Sequence, residues 1–171
     1  MTLQDHFRTL ARYHVWATHR LLDEHVALLP EADYRRDCGL FFNSVHGTLN
    51  HLLVGEGLLW QRRFLEGVSP AGLKLDDEAE PDRARLAQRL KESARAWQPY
   101  VERLSEADFD RPFHYATSKG EPMSAPFAAT LAHVFNHATH HRGQITVALT
   151  AMGHPSPVLD LIYMLREEAT A

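Results

Sequence analysis

Apolar residues recur at steps of three and four along most of the chain, and this repeat constrains the fold more than any other feature. Leu3, Phe7, Leu10, Tyr13, Ala17, Leu21, Val26 and Leu28 or Leu29 follow it up to Pro30, which predicts an amphipathic helix over residues 3–29. A second helix takes Asn43 or Ser44 as its cap, carries Val45, Leu49, Leu52, Leu53, Leu59, Trp60 and Phe64, and runs to Gly67. A third covers roughly 81–104, with Leu86, Leu90, Ala94, Trp97, Val101 and Leu104 on one face. Pro81 fits its first turn, and Pro99 marks a kink. A fourth runs from 126 to 152, ended by Gly153 and Pro155, and a short last helix covers roughly 157–167.

The segments between these helices read differently. In RPFHYATSKGEPMSA, residues 111–125, Phe113 and Tyr115 alternate with polar residues ahead of a Ser118-Lys119-Gly120 turn, the pattern of a small β-hairpin. VSPAGLKLDDEAEP, residues 68–81, reads as a linker that does not pack. At 171 residues the chain fits one domain, 1–171, with a single core. Four long helices in that length predict an all-α four-helix bundle, with the hairpin and a short C-terminal helix appended. The linker and the hairpin can both carry crossover connections, so simple and non-simple winding orders are both open.

Composition excludes several functions. A formal charge of −4 gives no field that favours nucleic acid. The single cysteine, Cys38, excludes a disulfide framework, a cysteine zinc knuckle and a dithiol redox pair. Any metal must therefore be held by His, Asp or Glu. The N-terminal stretch has charges throughout, and no window approaches the roughly 18 apolar residues of a membrane span, so the expectation is a cytoplasmic protein.

The chain has twelve histidines, and their placement carries the functional argument. NHATHHRGQ, residues 136–144, puts three of them on one predicted helix, with His133 one turn earlier. His133, His137 and His141 form one stripe, and imidazoles at i and i+4 can direct nitrogens at one ion. His140 is also within reach of His137, and spacing alone does not choose between His140 and His141. A zinc-like ion wants three or four protein ligands, so another helix must contribute. His51 is the candidate, placed among Leu49, Leu52, Leu53 and Val54 with Gly47 and Gly55 beside it on the helix surface. Mid-helix glycine costs about 1 kcal/mol against alanine, so these two ask for close packing or a pocket as their reason.

Taken singly, each of the three reads as a core histidine or part of a polar seam; together they favour a metal. His46 lies about 140° around the helix from His51 and cannot share its ion. His6, His14, His19, His25, His114 and His154 read as surface or loop residues. Glu56, Gln144 and Asp160 are available to orient the ligands. No nucleotide cradle or nucleophile elbow string is present.

YHVWATHRLL, FFNSVHGTLNHLL, YATSKGEPM, AHVFNHATHHRGQ and PVLDLIYMLRE occur in an order that resembles the DinB-like, or DinB/YfiT, family over nearly the whole length. The resemblance implies a four-helix bundle of unusual winding order, a homodimer, and a divalent metal, zinc or nickel, bound by three histidines. Carried over by motif, the ligands are His51, His137 and His141. His14 and His19 stand where many relatives have Asn, and an extra imidazole there could reach the open side of the ion. Relatives with assigned activity include transferases and isomerases that use low-molecular-weight thiols. The functional expectation is a metal-dependent enzyme acting on a small molecule, a thiol-dependent transferase or a hydrolase, with Glu56 or Asp160 as proton acceptor. The alternative is a non-catalytic, stress-response bundle in which the metal is structural.

Overall fold

The computed structural model describes residues 1–170. Helix α1 (Leu3–His19) starts at Thr2, whose hydroxyl accepts from the Asp5 N–H while the Asp5 carboxylate accepts from the Thr2 N–H. The path continues through a π-helical stretch, Arg20–His25, and a 3-10 turn, Val26–Leu28. The helix expected over 3–29 is thus one run of three pitches. A short α2 (Glu31–Arg35), not anticipated from periodicity, follows Pro30.

Asn43 adopts a left-handed φ of 65° and hands the chain to Ser44. The Ser44 hydroxyl accepts from the Gly47 N–H and so caps α3 (Val45–Leu52). From there a second π-helical stretch, Leu53–Trp60, leads into α4 (Gln61–Glu66), which Gly67 ends in the left-handed region. Helix α5 (Arg83–Glu102) is capped by Asp82, so Pro81 precedes the cap and does not occupy the first turn; the helix runs on through Pro99. After α6 (Glu106–Asp110), strands β1 (Pro112–Ala116) and β2 (Pro122–Pro126) pair antiparallel, with Phe113 opposite Ala125. Helix α7 (Phe127–Ala151) is the longest, and α8 (Leu161–Thr170) begins after a non-helical strap.

Packing gives the winding order. Helix α1 lies against α5 and α7, and α3 with its π continuation lies against the same two. The ring around the bundle is therefore α1, α5, α3, α7, in which α1 sits diagonally from α3 and α5 diagonally from α7, unlike an up-and-down bundle. The diagonal steps are made by residues 29–44 and by the segment holding α6 and the hairpin. The 67–82 linker, expected as a crossover, joins two neighbours.

That linker also packs, contrary to its composition. Glu78 accepts from His46 and Arg35, and the Glu80 N–H donates to Asn50 Oδ1, which lays the acidic run along α3. His46 is buried in this seam, its Nδ1 3.0 Å from the Tyr34 hydroxyl, facing away from His51 as the helical angle requires.

Two large apolar clusters fill the bundle, one built on Leu21, Leu49, Leu53, Leu86 and Leu149, the other on Phe7, Trp97, Phe127, Leu131 and Phe135, and a small third one joins Tyr13 and Ala17 to Met164 of α8. Each such side chain contributes about 1.5–3 kcal/mol by leaving water. Among the described residues no helix is long and apolar enough to cross a membrane.

Candidate metal centre

Three imidazoles converge where α3 faces α7. One ligating nitrogen from each of His51, His137 and His141 lies within 4.8 Å of the other two. The ring centroids are 5.0 Å apart for His51 and His137, 4.5 Å for His51 and His141, and 4.4 Å for His137 and His141. His137 and His141 meet because they are one turn apart on α7. His51 reaches them from the facing helix.

Each ring is oriented through its Nδ1. His51 Nδ1 donates to the Leu75 carbonyl at 2.8 Å, His137 Nδ1 lies 3.3 Å from Glu56 Oε1, and His141 Nδ1 lies 2.7 Å from Gln144 Oε1. A carbonyl only accepts, so His51 carries its proton on Nδ1 and turns a lone pair on Nε2 toward the other rings. The same arrangement on His137 and His141 leaves their Nε2 atoms free to ligate an ion.

The donor set fits a divalent ion. His51 Nε2 and His137 Nε2 are 3.0 Å apart, and with both Nδ1 atoms protonated two lone pairs face each other. That contact is repulsive unless a proton or a cation lies between them. Burial pushes the His51 imidazole down and pushes His141 down to about 4, although the Gln144 hydrogen bond and, for His51, the Leu75 carbonyl act in the opposite direction. Neutral imidazole is the ligating form, and three of them suit zinc or a similar borderline ion.

Local sequence explains how the rings come so close. At Gly55 an added Cβ would lie 3.1 Å from His137 Cε1, so glycine lets the His137 ring sit against the second helix without being displaced. At Gly47 it would lie 2.1 Å from the Phe42 carbonyl oxygen. The loop therefore approaches α3 closely enough for the Phe42 ring to stack on His51, centroids 3.8 Å apart and planes at 15°.

Glu56 is placed by the π-helical stretch. In an α-helix it would stand about 140° from His51, whereas the wider π turn, with its i→i+5 repeat, carries it back to the same side. Its buried carboxylate faces His137 with Oε1 and His14 Nε2, at 3.4 Å, with Oε2. His14 Nδ1 accepts from Arg142 at 3.0 Å, which leaves its Nε2 protonated toward Glu56. Burial raises the Glu56 carboxyl above the usual range against the pull of His137 and Arg142, and burial with Arg142 holds His14 well below its ordinary value. A buried line runs from Arg142 through His14 and Glu56 to His137.

His14 was expected at the surface and is buried. Its face of α1 is wider than the apolar steps imply, since Tyr13, His14, Ala17 and Thr18 all point inward. It touches Glu56 and is not one of the three convergent ligands. His19 pairs with Asp23 and Arg95. His133 is exposed, 5.7 Å from the His137 ring and outside the convergent set, and exposed His140 meets Gln144. Asp160 lines a separate groove with Tyr13 and Arg142. Glu56 sits behind His137 and is only 3% exposed, so its carboxylate is not open to a substrate in solution.

Comparison with known proteins agrees with this architecture. A curated relative, protein DinB of Bacillus subtilis (strain 168), is 27% identical over 165 residues, with 88% of each chain covered. The structure of YfiT from Bacillus subtilis, described as "a probable metal-dependent hydrolase with an unusual four-helix bundle topology", superposes with a TM-score of 0.60 over 89% of each chain. At 17% identity that likeness is one of fold. The family model described as DinB family matches residues 2–170, and the chain belongs to the DinB family.

Proposed function

We propose that this chain is a metal-dependent hydrolase whose ion, zinc or nickel, is held by His51, His137 and His141. The observation that carries this reading is the convergence of one nitrogen from each of the three imidazoles within 4.8 Å, with a protein partner on each Nδ1. Bound there, a divalent ion supplies Lewis acidity that brings the pKa of a water or a thiol toward neutrality. The chain's own residues set the conditions for it. Leu75, Glu56 and Gln144 fix the ring orientations, and Phe42 shields His51.

Hydrolysis is preferred because a protein of the same fold, YfiT, is described as "a probable metal-dependent hydrolase". Thiol transfer with a low-molecular-weight thiol is the second reaction open to the same ion. A purely structural ion fits less well, since structural sites close with four protein ligands and only three converge among the described residues.

The test is the metal content of untagged protein by elemental mass spectrometry, beside His51→Ala and His141→Ala. About one equivalent per chain, lost in both variants, supports the site and justifies ester and thiol-transfer screens. Metal absent from the wild type, or unchanged in the variants, overturns it.

A further inference from the structure

Beyond the three ligands, one cation stands beside the site with nothing acidic to pair with. Arg63 on α4 is seated in the corner between two rings that meet edge to face, Trp60 and Tyr115, with its guanidinium carbon 4.5 Å and 4.6 Å from their centroids. Its Nε donates to Ser69 Oγ at 2.8 Å, and that hydroxyl donates in turn to the Ala116 carbonyl at 2.6 Å. The hydrogen bond and the two rings hold the side chain in place. Its two terminal nitrogens have no hydrogen-bond partner and no carboxylate within ion-pair distance among the described residues.

Two rings, Trp60 and His133, lead from this position to the metal centre. Trp60 meets the exposed His133 ring edge to face at 5.2 Å, and His133 lies 5.7 Å from the His137 ring. Along this wall the chain presents a fixed guanidinium edge, an indole face and an imidazole before the first ligand is reached. A guanidinium whose Nε is already engaged offers its two terminal N–H groups side by side, the geometry that takes both oxygens of a carboxylate. Partly buried and stacked on aromatic faces, it is less hydrated than a free surface arginine, so an anion can replace its water at lower cost.

We propose that Arg63 is the specificity residue of this site and binds the carboxylate of an acidic small-molecule substrate whose reacting group lies at the three histidines. This rests on the metal-dependent reading above. Trp60 and His133 would line the body of that substrate, and the length between its two ends would be set by the His137 to Arg63 span.

The test is calorimetric binding to zinc-loaded protein of two alkyl hydroxamate series, one ending in a methyl group and one in a carboxylate, at chain lengths from three to eight methylenes. The hydroxamate reports on the ion and the tail on Arg63. At one or two lengths the acid should bind at least tenfold more tightly than its methyl-ended partner, a gain of about 1.4 kcal/mol. Arg63→Gln should remove that gain while leaving the methyl-ended series unchanged, and Arg63→Lys should keep part of it. No gain at any length, or a gain that survives in Arg63→Gln, overturns the role of Arg63 and leaves the metal site standing. Failure of both series together with absence of metal overturns the metal reading and the inference with it.

Discussion

Glu56 faces His137 from inside the bundle, carboxylate oxygen to Nδ1 at 3.3 Å, and is the only acidic side chain that touches one of the three convergent imidazoles among the described residues. Glu56→Gln keeps a hydrogen-bond acceptor of the same size and removes the charge. Outer partners of metal-binding histidines typically govern affinity by 10–100-fold, so zinc affinity should fall within that range. Thermal stability of the chelator-treated protein should hold or rise, because a carboxyl strained by burial has been replaced by a neutral group. Competition with a chromophoric chelator measures the first and calorimetry the second; unchanged zinc affinity would remove Glu56 from the site.

The two glycines of the second helix separate ligand placement from folding. Gly55→Ala brings a methyl to 3.1 Å from His137 Cε1, a contact the imidazole can relieve by shifting a few tenths of an ångström. Alanine also gains about 1 kcal/mol in helix propensity. The expected outcome is weaker metal binding with little loss of stability. Gly47→Ala meets the Phe42 backbone oxygen at 2.1 Å, which cannot move without the loop, and should cost about 1–3 kcal/mol or more. Paired melting and metal titrations distinguish them, and equal effects on both quantities would contradict this division.

How far the sequence announces these features differs by level. The apolar steps locate every long helix, Ser44 and Gly67 mark their ends where the caps are seen, and the unusual mid-helix glycines point at a crowded position. His137 and His141 meet because i and i+4 on one helix is a local relation, readable without a fold, whereas His51 comes from the facing helix and is singled out in the sequence by its apolar neighbours and the glycines beside it. Glu56 and His14 are not local. Their inward aim depends on a π-helical stretch that no periodic template contains, and on an α1 face wide enough to bury an imidazole. The acidic linker is illegible for a related reason: its packing on α3 runs through the backbone carbonyl of Leu75 and through carboxylates whose partners lie far off in sequence.

Phe42 covers His51 with parallel rings 3.8 Å apart and lies 5.7 Å from His141. Removing it opens the ligand to water without touching a donor atom. Phe42→Ala should therefore accelerate release of bound metal to excess chelator, by about tenfold or more if water access limits the step, while the equilibrium stoichiometry stays at one per chain. Stopped-flow transfer to a chelator reads the rate. A release rate equal to that of the wild type would mean that the ring is packing and not a cover.

Acid should weaken the metal-free fold in a defined window. His14, His51 and His141 are all held below the free imidazole value of 6.5, chiefly by burial, with His141 pushed down to about 4. Below pH 6.5 the unfolded chain takes up protons on these rings that the folded chain refuses. Their contribution is therefore fully present above pH 6.5 and is lost as pH falls toward the folded values, at up to about 1.4 kcal/mol per ring per pH unit. Glu56 works in the other direction, since its raised folded value lets the native state bind a proton before the unfolded one does, adding stability as pH falls toward 4.5. Three rings against one carboxyl give a net loss, so the melting temperature of chelator-treated protein should drop steadily between pH 6.5 and 5. His14→Asn removes one of the three rings while keeping an acceptor for Arg142, and should make that slope shallower by about a third. A slope unchanged in His14→Asn would show that His14 titrates in the folded state as it does in the unfolded one.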